Sequence, residues 1–109
     1  MNELLKELAT WWPHPVRQIA ADTWIVTLAT PDVEMIEICT ATPDTRNADH
    51  LQNELVRKLV ADGWDCDRRQ YKDGEAGFMA FRSADEIKNA EAPTPLEAVL
   101  RVANEVYRR

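Results

Sequence analysis

Thr94-Pro95-Leu96-Glu97-Ala98-Val99-Leu100-Arg101-Val102-Ala103-Asn104-Glu105-Val106-Tyr107 is the stretch in which helix start, helix phase and buried face can all be read. The Thr94 hydroxyl can cap the first turn, Pro95 fits the first helical position where no N–H is needed, and Glu97 three residues after the cap completes a capping-box pattern. Such a start is worth roughly 1 kcal/mol. Leu96, Val99, Leu100, Ala103, Val106 and Tyr107 then recur at three and four residues, which gives one apolar stripe, while Glu97, Arg101, Glu105 and Arg108 face water. A stripe of that kind needs a surface to cover it, and a sheet is expected.

Working outward, Ala48, Leu51, Leu55, Val56, Leu59 and Val60 predict a second amphipathic helix that stops at Gly63, a residue suited to the left-handed terminator. Residues 2–12 predict a third, with Leu4, Leu5, Leu8, Trp11 and Trp12 on one face and Pro13 and Pro15 barring its continuation. Between the helices lie alternating, β-branched or aromatic runs. Residues 23–29 and 34–40 pair as one hairpin, and residues 64–71 and 77–82 as another around Asp73-Gly74. Residues 83–93 hold a single large apolar side chain, Ile87, and are expected to form a mobile loop or an irregular edge before the capped helix. The result is a single α+β domain over residues 1–109. It is expected to have a four-stranded, mainly antiparallel sheet with helices packed on it, in the order α-ββ-α-ββ-α, with a weak hairpin–helix repeat.

On those residues the second half resembles the small phage-encoded proteins of the phage ABA-sandwich family. The resemblance covers roughly residues 48–107. It rests on the helix Leu51 to Ala61 closing at Asp62-Gly63-Trp64, on the two-strand segment carrying Phe78 and Phe81, and on the helix opened by Thr94-Pro95-Leu96-Glu97-Ala98-Val99-Leu100. Trp11-Trp12-Pro13-His14-Pro15 departs from the family's usual opening. The resemblance implies a phage or prophage origin and carries over no catalytic residue.

Charge and motifs narrow the chemistry further. With 109 residues, the net charge of −6 argues against a chain whose main task is gripping nucleic-acid phosphates, since that needs a positive surface. Residues 1–45 hold two bases against seven acids, whereas the remainder is nearly balanced. Cys39 and Cys66 fall in apolar, strand-like runs and read as reduced thiols; no basic and apolar leader opens the sequence, so a cytoplasmic protein is expected. No apolar run has the length of a membrane span.

Zinc would draw on His14, His50, Cys39 and Cys66, but the short paired spacing of such sites is missing. A Cys–His nucleophile is disfavoured because mid-strand apolar settings raise a thiol's pKa. Asp65 and Asp67 share one strand face and read as solvated carboxylates beside Arg69, and Asp73-Gly74-Glu75 reads as a turn. No phosphate-binding glycine loop is present among the three glycines. The chain is therefore expected to be no enzyme and to need neither cofactor nor metal.

The expected function is binding, as a monomer or homodimer, to a host protein. A counter-defence inhibitor of the anti-CRISPR kind, which presents carboxylates to a basic groove, is the concrete version. Asp22, Asp32, Glu34, Glu37 and Asp44 are the residues expected to make that contact. The alternative is a nucleic-acid-binding accessory protein that uses Arg68, Arg69, Lys72 and Arg82 of the second hairpin, with Tyr71 and Phe78 as stacking surfaces. Asp62, Asp65, Asp67, Asp73 and Glu75 in the same region weigh against it.

Overall fold

The computed structural model describes residues 1–28, 34–41 and 45–108. Its elements run α1 (Asn2–Trp11), β1 (Val16–Ala20), β2 (Thr23–Leu28), β3 (Glu34–Cys39), α2 (Thr45–Ala61), β4 (Asp65–Gln70), β5 (Ala76–Ser83), β6 (Glu86–Ala92) and α3 (Pro95–Tyr107). The strands form two separate three-stranded antiparallel meanders, β1-β2-β3 and β4-β5-β6. This corrects the expected single four-stranded sheet and the order α-ββ-α-ββ-α: the order is α-βββ-α-βββ-α. Each predicted hairpin has gained a third strand, and α2 carries the chain from one meander to the other.

Both added strands lack the pattern by which a strand is recognised. In β1 only Val16 packs against the core, and the rest of the strand is exposed. β6 is a regular edge strand over most of the segment 83–93, where a mobile loop or an irregular edge was expected, and its Ala90 and Ala92 point inward because α3 lies directly against it. Alanine is a poor strand former by composition, but only a small side chain fits beneath a closely packed helix.

The three helices share the burial unequally. α3 packs against β5 and β6 on one side and against α1 and α2 on the other. Its buried set includes Ala98, Val102 and Asn104 as well as Leu96, Val99, Leu100 and Ala103, so it is covered over far more than the expected stripe. Thr94 caps it as its sequence requires, its Oγ1 accepting the Glu97 amide at 3.3 Å. α2 buries Leu51, Leu55 and Leu59 but leaves Val60 exposed. At its end Gly63 takes φ +94°, while Trp64 N–H reaches Leu59 O at 3.0 Å and Gly63 N–H reaches Val60 O at 3.1 Å. That is a Schellman closure, and it turns the chain directly into β4.

α1 is fastened by its side chains. Trp11 Nε1 donates to Asn104 Oδ1 at 2.7 Å, and Asn104 Nδ2 donates to Leu4 O at 3.0 Å, with Asn104 only 1% exposed. Trp12 Nε1 donates to Thr27 O at 2.7 Å, and Trp24 Nε1 to Asn2 Oδ1 at 3.0 Å. Three indole N–H groups thereby tie α1 to α3 and to β2. Trp11 also stacks on Tyr107, 4.4 Å between ring centroids, and the Tyr107 hydroxyl donates to Asp62 Oδ2 just past the end of α2. Lys58 completes this corner, 3.5 Å from Asp62 and 4.9 Å from the Tyr107 ring centroid. Apolar side chains of all three helices and both sheets join in one buried cluster.

Replacing Asn104 by Ala leaves the Trp11 indole N–H unpaired in the core and removes the second bond to the Leu4 carbonyl. Urea denaturation should show a loss of about 1–3 kcal/mol. The Asp62–Tyr107 bond sets a pH signature. The Tyr107 hydroxyl, Lys58 and Arg82 hold the Asp62 carboxyl below its usual range against a smaller opposing effect of burial, whereas burial first, and then Asp62, push Tyr107 up. The Asp62 contribution is present above its ordinary pKa and fades as pH falls through its lowered one. The Tyr107 contribution is present below its ordinary pKa and fades as pH rises toward its raised one. The stability gap between the natural chain and Tyr107→Phe should therefore be flat near neutrality and narrow below about pH 4 and above about pH 10, measured as urea midpoints.

Candidate functional site

Strand pairing in the second meander lays out its outer face as three rows. Arg69, Gly77 and Glu91 form one, Asp67, Met79 and Asn89 the next, and Asp65, Phe81 and Ile87 the third. Opposite side chains alternate along each strand, so this set is fixed once the register is fixed. Phe81 and Ile87 face each other across the ladder and remain 37% and 49% exposed. With the half-buried Met79 behind them, they make an apolar centre bordered by Asp65 and Asp67.

At the other end of this face the Tyr71 ring lies over Gly77. A Cβ at residue 77 would stand 2.9 Å from Tyr71 Cε2, so the ring can rest there only because residue 77 is glycine. Tyr71 heads a turn in which its N–H donates to Glu75 O at 2.9 Å, Asp73 Oδ1 accepts the Glu75 amide, and Gly74 takes φ +89°. Between this ring and the rows lies a concavity of about 460 Å³ lined by Asp67, Arg69, Tyr71, Met79, Asn89 and Glu91. Arg69 Nε donates to Asp67 Oδ2 at 3.1 Å, so the one base in these rows is already matched.

The four bases of the second hairpin do not converge. Arg68 belongs to the inner rows and donates to Gln52 Oε1 and Asn53 Oδ1 of α2, at 2.9 and 3.2 Å. Arg69 lies on the opposite face. Lys72 sits in the exposed turn. Arg82 is the extra residue of a β-bulge between Phe81 and Ser83; it pairs with Glu86 and lies over the Trp64 ring at 4.5 Å. Phe78 is 3% exposed on the inner face and offers no surface for a base to stack on.

Nor does the acidic set gather. Glu34 stands 3.6 Å from His50 of α2, Glu37 lies on the outer face of the first meander opposite Ile25, and Asp22 occupies the β1–β2 turn, where its carbonyl accepts from Thr40 N–H at 2.7 Å. Asp32 and Asp44 lie outside the described residues. The apolar pair Phe81 and Ile87 was the signal missed: Ile87 stood out in the sequence as a lone large apolar residue, and only the β6 ladder gives it Phe81 as a neighbour.

Among the described residues no group of three or more His, Cys, Asp or Glu side chains is placed to hold a metal ion. Asp65 and Asp67 share the outer face, as their spacing implies, with Arg69 beside Asp67. His14 packs edge-on against Trp12. Cys39 and Cys66 are not joined by a disulfide. No helix among the described residues is long and apolar enough to cross a membrane. Comparison of the chain with models of protein families, with curated proteins and with solved structures gives no match.

Burial pushes the Cys66 thiol up against the opposing pull of Arg68, with Asp65 adding to the rise, the opposite of what a nucleophile needs. Iodoacetamide at pH 8 should alkylate Cys66 more slowly in the folded protein than in the same chain in urea, as read by mass spectrometry of its peptide.

Proposed function

We propose that the protein is a non-catalytic binding module that acts on a protein partner carrying a basic face, with a phage-encoded counter-defence inhibitor of a nucleic-acid-handling host protein as its concrete form. One observation carries this reading: the apolar centre Met79, Phe81 and Ile87 bordered by Asp65 and Asp67 on the open face of the second meander. An aromatic and an aliphatic side chain standing together in a charged border is the make-up of an interface core, where a few such anchors supply most of the binding energy. The acidic border and the net charge of −6 select a basic partner and steer its approach. The resemblance of residues 48–107 to phage ABA-sandwich proteins supports the mobile-element origin, and with it a site of action in the host cytoplasm.

The reading differs from the expectation of an acidic surface on the first hairpin in one respect. The carboxylates that border the contact are those of β4, because Glu34, Glu37 and Asp22 point to separate places. No specific observation favours the nucleic-acid alternative, since Arg68, Arg69, Lys72 and Arg82 are divided between two faces and a turn.

The test uses a photo-reactive benzoylphenylalanine at Ile87, with the same group at the exposed Met35 of the first meander as control. Irradiation in host cells should join residue 87, and not residue 35, to one protein. Unlabelled natural protein should compete for that adduct at least about tenfold better than the Phe81→Asp/Ile87→Asp variant, whose circular dichroism should be unchanged. Equal competition by the variant would exclude this face.

A further inference from the structure

On the inner side of β4, a cleft of about 410 Å³ opens between α2, the β4–β5 ladder and the first turn of α3. Its volume lies within the range of roughly 300–1,000 Å³ typical of small-ligand sites. The floor is apolar: Phe78 and Val99 line it and are 3% and 1% exposed. The wall is polar and comes from Gln52, Asn53 and Arg68. Phe78 is the cross-strand partner of Arg68, so a guanidinium and an aromatic side chain belong to the same inward row.

The pairing of Arg68 is the unusual feature. A guanidinium held beside a helix is ordinarily matched by a carboxylate, which fixes its fork and cancels its charge together. Here, among the described residues, the fork is held by two neutral amide oxygens, Gln52 Oε1 at 2.9 Å and Asn53 Oδ1 at 3.2 Å. Gln52 is only 5% exposed and holds the fork from the core side, whereas Arg68 and Asn53 stand exposed at the mouth of the cleft. The amides orient the guanidinium without neutralising it. These bonds use two of its five N–H donors.

We infer that this cleft is a binding site for a small carboxylate with an apolar tail, its carboxylate on the Arg68 fork and its tail on Phe78 and Val99. Charge selects a monoanion. Of the two bases that line the cleft, Arg69 is paired with Asp67 and Arg68 makes no ion pair among the described residues, so one carboxylate can be matched, while Asp49 in the same lining repels a phosphate dianion more strongly than a monoanion. The site lies on the inner side of the second meander and is independent of the Phe81–Ile87 face, so either assignment can fail without the other.

The experiment is a titration of the 15N-labelled protein with 3-phenylpropanoate, followed by amide shifts. Saturable shifts at Gln52, Phe78 and Val99 are expected, with a Kd in about the millimolar range or tighter. 3-Phenylpropanamide, of the same shape without the charge, should produce none. Arg68→Gln should weaken binding about tenfold or more. Asn53→Leu, at an exposed position, keeps the charge but frees one arm of the fork and should weaken binding several-fold, which preserves the test if Arg68→Gln does not fold. N-acetyl-glycyl-phenylalanine distinguishes the source of the carboxylate: tighter binding than phenylpropanoate indicates a peptide C-terminus, and weaker binding a free small acid, both within the proposal. Equal binding of the amide, unchanged binding in both variants, tighter binding of phenyl phosphate, or no saturable shift with any of the acids would overturn it.

Discussion

The Asn104 amide has one place to go on each side, and the rest of the molecule is arranged so that it goes there. Its oxygen takes the Trp11 indole proton and its nitrogen gives to the Leu4 carbonyl, in a setting from which water is excluded. An amide buried this deeply is costly unless it is satisfied. The position of α1 on α3 is therefore specified and not merely favoured by apolar contact. Trp12 and Trp24 repeat the arrangement against Thr27 and Asn2. Large rings supply the buried area, and their single N–H groups supply the address.

With α1 fixed in this way, α3 is enclosed by helices on one side and by the second meander on the other. This explains why its buried set is wider than one stripe, and why β6 must offer alanines. It also leaves the outer face of the second meander without a helix to cover it, which is where Phe81 and Ile87 stand. The covered and the open faces of one sheet thus come from the same packing decision.

The helices were legible in the sequence because their signals are local: Thr94 and Pro95 start α3, Gly63 stops α2, and Pro13 and Pro15 end α1. The central strands were legible because Trp24, Val26 and Leu28, or Phe78 and Ala80, alternate. β1 and β6 were not, since the first buries almost nothing and the second buries alanine, so neither shows a period-two contrast. Asn104 gave no sign, because a polar residue between Ala103 and Glu105 reads as solvent-facing until its partners about a hundred residues away are placed. Of the candidate site, the split between Arg68 and Arg69 was implied by alternation alone. The contact of Phe81 with Ile87 needed the missing strand.

The bonds from Asn104 to Trp11 and to Leu4 close loops of 93 and 100 residues. During synthesis α1 can meet β2 early, through Trp12 and Trp24, but the side of α1 that carries Trp11 has no partner until α3 has followed. The Trp11–Asn104 contact is therefore a late, long-range closure, made only after every strand between the two helices is in place.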